Sequence, residues 1–148
     1  MQGKIKLTKQ AHEKMLAHLV DIEERKVLIA DEYYREMDEE RISFISLLDK
    51  YITLLDKTLR KTEISEEADN EFPFVSIYSE VRVSEPDTGE GYSYKIIPPE
   101  ADDLQKADEI TYLSPVGKAL MLRKSGDTVV IKAPQGEYSI KIESIKLF

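Results

Sequence analysis

The chain has no cysteine and no tryptophan, only two histidines, and no long apolar run. Without cysteine there can be no disulfide, no thiol nucleophile and no cysteine-ligated zinc. With no apolar stretch near the roughly 20 residues needed to cross a bilayer, and no N-terminal apolar run resembling a signal peptide, a cytoplasmic protein with no membrane association is expected. Positive charge is also scarce: 21 Lys and Arg stand against 29 Asp and Glu, a formal net charge of −8. A protein that coats nucleic acid needs a basic face for phosphates, so direct sequence-specific nucleic-acid binding is not expected. Docking on a basic protein surface remains compatible with this balance. The 148 residues are 41% hydrophobic, enough for one ordinary domain or two small ones.

Glycine and proline are absent in a telling place. None occurs between Gly3 and Pro73, a run of 69 residues. From Pro73 onward come all six prolines and the five remaining glycines. This change of punctuation predicts a helical segment over 1–64, a linker over 65–73 and a separate domain over 74–148.

The helical segment carries two apolar seams. Thr8 is a natural N-cap. Met15, Leu19, Ile22, Lys26 and Ile29 repeat at alternating spacings of four and three, and Ile45, Leu48, Ile52, Leu55 and Leu59 repeat the same way. Two such seams predict an antiparallel coiled-coil hairpin within one chain, hence a monomer. The alternative is one long helix that dimerises in trans. Phe44, Leu47, Tyr51 and Leu54 form a second stripe, expected to rest on another surface. The midpoint between Thr8 and Thr62 is Arg35, which places the hairpin tip at residues 31–40. There "ADEYYREMDEER" holds six acids in twelve residues. Asp31 and Asp38 are both candidates to cap a restarting helix.

The second half alternates. "SEVRVSE" and "YSYKII" flank the turn chemistry of "EPDTGEG", and "DTVVIKA" and "YSIKIESIKLF" flank "PQGE". Both read as hairpins. Between them, Ser114 as N-cap and Pro115 as first helical residue start a short helix. The class is α+β: a helical hairpin, then an antiparallel sheet domain with one short helix.

Catalytic motifs are lacking. His12 and His18 are six residues apart, about 240° around a helix, and so do not form a zinc pair. "TGEG" has no helix and basic residue after it and is a turn, not a phosphate loop. The clustered tip acids are the one chemical constellation. Asp31, Glu32, Glu36 and Asp38 are its candidates, able at most to share a hard cation such as Mg²⁺ transiently.

The string "ITYLSPVGKALMLRKSGDTVVIKAPQGEYSIKIESI" resembles the C-terminal domain of the Gre factors, bacterial transcript-cleavage and elongation factors. The preceding "VRVSEPDTGEGYSYKIIPPEADD" fits the same family, so the resemblance spans roughly 74–148. It implies an FKBP-like C-terminal domain that docks on RNA polymerase, with Leu113, Ser114 and Pro115 at the contact. It also implies that the hairpin enters the polymerase's secondary channel, where tip carboxylates help hold Mg²⁺ for RNA cleavage. Such a factor is not itself an enzyme, holds no cofactor and no tightly bound metal of its own, and at most stimulates the polymerase's own activity. The tip departs from the family pattern. With Asp31 matched to the family's tip Asp, Tyr34 and Arg35 stand where Glu-Asn is expected, and the first arm is shorter. The expectation is therefore a polymerase-binding regulator that does not cleave. The alternatives are an active cleavage factor using Asp31, Glu32 or Asp38, a peptide-binding or prolyl-isomerase-like module, and a homodimeric coiled-coil scaffold.

Overall fold

The structure is a computed structural model, and it describes residues 4–99 and 106–148. The chain divides into two compact units, 1–68 and 69–148. The boundary falls inside the stretch expected as linker, and the later part of that stretch is not free chain. Phe72 is buried, Asn70 accepts from the Leu147 amide, and Glu71 bridges to Lys146.

In the first unit, strand β1 (Lys6–Leu7) leads into helix α1 (Lys9–Tyr33), which turns back as helix α2 (Glu39–Arg60) and closes with strand β2 (Glu63–Ile64). The helix starts are chemical. The Thr8 hydroxyl accepts from the Ala11 amide and the Asp38 carboxylate from the Arg41 amide, each satisfying an amide that has no partner in the first turn. Glu39 and Glu40 then lie in the first turn of α2, where the helix dipole favours negative charge. At the base of the hairpin β1 and β2 pair in parallel, with Leu7 fully buried. Two-residue strands carry too little alternation to be seen in sequence, and this clasp was not expected.

The two arms pack on each other, as the paired seams predict. On α1 the buried line is Met15, His18, Leu19, Ile22, Ile29 and Ala30. Lys26, counted in the seam, instead lies at its edge and pairs with Asp49 of α2. On α2 the buried line is Arg41, Phe44, Leu48, Tyr51, Leu55, Thr58 and Leu59. Here the expectation needs correcting. Ile45 and Ile52 are only half-buried, while Phe44 and Tyr51, assigned to an outer stripe, are in the centre of the hairpin. Aromatic rings remove more apolar area from water than isoleucine does, so the helix turns by about one position to put them inside.

The second unit holds, among its described residues, strands β3 (Ser79–Ser84), β4 (Gly91–Ile97) and β5 (Glu109–Thr111), helix α3 (Pro115–Leu120), and strands β6 (Thr128–Ala133) and β7 (Gly136–Leu147). The sheet order is β5-β4-β3-β7-β6. Both hairpins form as read from sequence, β3 with β4 and β6 with β7. The sheet is antiparallel except at one edge, where β5 runs parallel to β4. The β3–β7 register shifts between Arg82 and Val83, leaving Glu143 as the extra residue of a bulge. Gly136 closes the tight β6–β7 turn at φ +133°, a conformation a side chain would resist. Val81, Val83, Ile96, Tyr112, Leu120, Val129, Ile131, Ile140 and Ile142 make the core. No helix among the described residues is long and apolar enough to cross a membrane. Residues 100–102, matched to the family by the "EAD" string, lie outside the described residues.

Candidate functional site

Two places carry the expected site residues: the hairpin tip and the start of α3.

At the tip, α1 ends at Tyr33, and the Tyr34 amide still bonds the Ala30 carbonyl. Residues 35–38 then turn the chain into α2. All six acids between 31 and 40 are exposed, and Met37 stands out at 86% exposure. The acids are not equivalent. Asp31 does not cap the restarting helix. It lies in the last turn of α1, where the negative helix end disfavours a carboxylate. The Arg41 guanidinium compensates, donating from Nη2 to Asp31 Oδ1 at 2.7 Å. The same guanidinium donates from Nη1 to the Tyr34 carbonyl at 2.9 Å, one of the acceptors that a helix end leaves open. Asp38 is the N-cap of α2, its Oδ1 accepting from the Arg41 amide at 3.1 Å. The Tyr34 ring stacks on Phe44 with centroids 4.5 Å apart. Of the four candidate acids, then, Asp31 and Asp38 are bonded within the tip, while Glu32 and Glu36 extend into solvent. Arg41 was missed in sequence. Its signal was there, one of two arginines in the acidic stretch and ten residues after Asp31, but only the turn brings the two together.

Among the described residues no three Asp, Glu, His or Cys side chains are grouped to hold a cation. His12 and His18 also work separately: His12 Nε2 is 3.4 Å from the Leu59 carbonyl, and His18 Nε2 is 2.8 Å from the Tyr51 hydroxyl.

At the second place, the Ser114 hydroxyl accepts from the Gly117 amide at 3.0 Å and donates to the Thr111 carbonyl at 2.8 Å. It thereby caps α3 and ties the helix to the end of β5. Gly117 is required for this approach, because a Cβ there would lie 2.1 Å from the Thr111 oxygen. Leu113 is half-buried and Pro115 is exposed. Ser114 therefore has structural work of its own, and Pro115 is the open surface beside it.

The family described as "Transcription elongation factor, GreA/GreB, C-term" matches residues 69–147, more than half of the chain. The chain belongs to the GreA/GreB family of transcription elongation factors, a class of transcription factors rather than of enzymes. Its relatives carry two different functions in their names. Transcription elongation factor GreA of Thermotoga petrophila is 27% identical over 96% of this chain and 97% of that protein. Transcription inhibitor protein Gfh1 of Thermus aquaticus is 28% identical over 98% of both. The crystal structure of Thermus aquaticus Gfh1 aligns with 97% of this chain and 98% of its own, at 25% identity and a TM-score of 0.45. Elongation factor and inhibitor stand at nearly equal identity, so the choice between them falls to the residues of the tip.

Proposed function

We propose that this protein is a Gre-type regulator that binds RNA polymerase through the corner at Leu113 and Pro115, and that its hairpin enters the secondary channel without delivering a Mg²⁺ ligand for RNA cleavage. The observation that carries the second half is the bonding of Asp31 and Asp38 inside the tip. Mg²⁺ demands oxygen ligands at about 2.1 Å in near-octahedral order. A carboxylate already held by an arginine must give up that bond and accept a neighbouring positive charge. Length points the same way. The 25 residues of α1 make a rod of about 37 Å at ~1.5 Å per residue, and one missing turn withdraws its end by ~5 Å.

The acidic, rigid hairpin suits occupancy of a basic channel, where its charge raises the rate of entry and its bulk blocks the path. Docking at the α3 corner is supported by the resemblance of this stretch to the family and by the exposure of Pro115 beside the Ser114 cap.

The test uses core RNA polymerase. Pro115→Ala is expected to weaken binding with the thermal stability of the free protein unchanged, and Leu113→Asp to weaken binding by more than its own loss of stability accounts for, since Leu113 is half-buried. On a backtracked elongation complex, saturating wild-type protein is expected to release no short RNA at several Mg²⁺ concentrations and to slow elongation. Robust RNA release by the wild type would overturn the non-cleaving reading, and unchanged affinity of both variants would overturn the docking site.

A further inference from the structure

We propose that Arg41 withholds Asp31 from divalent cations and fixes the shape of the tip, making it the residue that sets the tip's chemistry. The inference rests on the reading that the tip is the part of the chain that meets the polymerase's catalytic region.

Arg41 is unusual for its charge. Its side chain is only 9% exposed, at the end of a hairpin where its neighbours are open to water. Arginine is seldom buried unless paired. Here it joins three parts of the chain at once. Its guanidinium bonds the last turn of α1 through Asp31 and the chain just beyond through Tyr34. Its amide bonds Asp38 at the start of α2. A planar fork can satisfy a carboxylate and a carbonyl together, which a lysine ammonium on a flexible stem does less well.

Asp31 itself is 57% exposed, so burial does not keep ions from it. What opposes a cation is the charge of Arg41 next to the carboxylate and the loss of one of its oxygens to that bond. Remove the arginine's charge and Asp31 becomes an open carboxylate beside Glu32, in a tip that also carries Glu36 and Asp38. What keeps a cation from Asp31, on this inference, is one residue of the opposite arm rather than the acids themselves.

The experiment uses full-length protein with assigned amide resonances and Mn²⁺ as a paramagnetic probe. Wild type, Arg41→Gln, Arg41→Lys, Asp31→Asn, Glu32→Gln and the double variant R41Q/D31N are titrated, and broadening of amides 29–33 is read. Arg41→Gln is expected to broaden at about tenfold lower Mn²⁺ than wild type, the effect of one unit charge acting on a divalent ion across a few ångströms of screened water. Arg41→Lys is expected to stay near wild type, and R41Q/D31N to return to it. Asp31→Asn alone is expected to weaken broadening no more than Glu32→Gln does, because each removes one tip charge and neither side chain is a cation ligand in the wild type. Two results overturn the inference: Arg41→Gln with an unchanged titration, or Asp31→Asn weakening the broadening clearly more than Glu32→Gln. The second holds even if Arg41→Gln fails to fold. RNA release from the backtracked complex by the wild type would instead overturn the non-cleaving reading, whatever the Mn²⁺ titrations give.

Discussion

Inside the hairpin the imidazole of His18 and the phenol of Tyr51 meet at 2.8 Å, one from each arm, with Tyr51 wholly buried and His18 nearly so. This is a buried polar contact in the middle of the hairpin, and it matches one residue of α1 to one residue of α2. Burial pushes the His18 ring down to about 4, with Lys14 adding in the same direction and Asp21 opposing. The folded state therefore holds the neutral ring, while the unfolded chain takes up a proton near its ordinary value of about 6.5. Between those values the unfolded chain binds more protons, so stability rises with pH across that window. It is complete above about pH 6.5 and lost as pH falls toward 4, by roughly 3 kcal/mol at most. Urea midpoints of the wild type between pH 7.5 and 4.5 should show this fall, and His18→Gln should flatten it. Coincident profiles for the two proteins would refute the assignment.

The same contact predicts the cost of losing the hydroxyl. Tyr51→Phe keeps the ring and removes one buried hydrogen bond of the imidazole, which should destabilise the protein by about 0.5–1.5 kcal/mol. Chemical denaturation at pH 7.5 measures it.

Leu48 lies at the middle of the seam with no exposed surface. Leu48→Ala should cost about 2–5 kcal/mol through lost burial and the cavity left behind. Because the arms are joined by the turn at 34–38, the hairpin forms within one chain and sedimentation should report a monomer. A dimer that dissociates only on unfolding would contradict this.

Gly117 allows the start of α3 to sit against the Thr111 carbonyl. Gly117→Ala puts a methyl 2.1 Å from that backbone oxygen, and the oxygen cannot swing aside as a side chain could. A loss of about 1–3 kcal/mol or more is expected from such overpacking. Ser114→Ala should cost about 1 kcal/mol by removing the cap. Both should weaken polymerase binding in step with their thermal destabilisation, whereas Pro115→Ala should weaken binding alone. Melting curves set beside affinities would separate the two cases.

Glu32 and Glu36 are exposed at the tip. If the tip acts by charge in a basic channel, replacing both by Gln should weaken inhibition of elongation and make it less sensitive to salt, since screening no longer has those charges to act on. Inhibition by the double variant as strong as that of the wild type, with the same dependence on salt, would argue for bulk rather than charge.

The sequence by itself determined the two-part plan. A 69-residue run without glycine or proline, with apolar positions spaced three and four apart, has few ways to bury its seams except as paired helices. Ser114-Pro115 and the "PQGE" turn likewise fix their own local geometry, because caps and tight turns depend on neighbouring residues alone. The tertiary structure decided what depends on residues distant in sequence. It put Phe44 and Tyr51 rather than Ile45 and Ile52 at the centre of the hairpin, since the best-packed rotation of α2 depends on what α1 offers across the gap. It added the clasp of Leu7 with Ile64, and it ran β5 parallel to β4. It also sorted the tip acids. Six carboxylates in twelve residues look alike in sequence, but only one lies within 2.7 Å of a guanidinium brought from the other arm, and that distance is set by the turn between them.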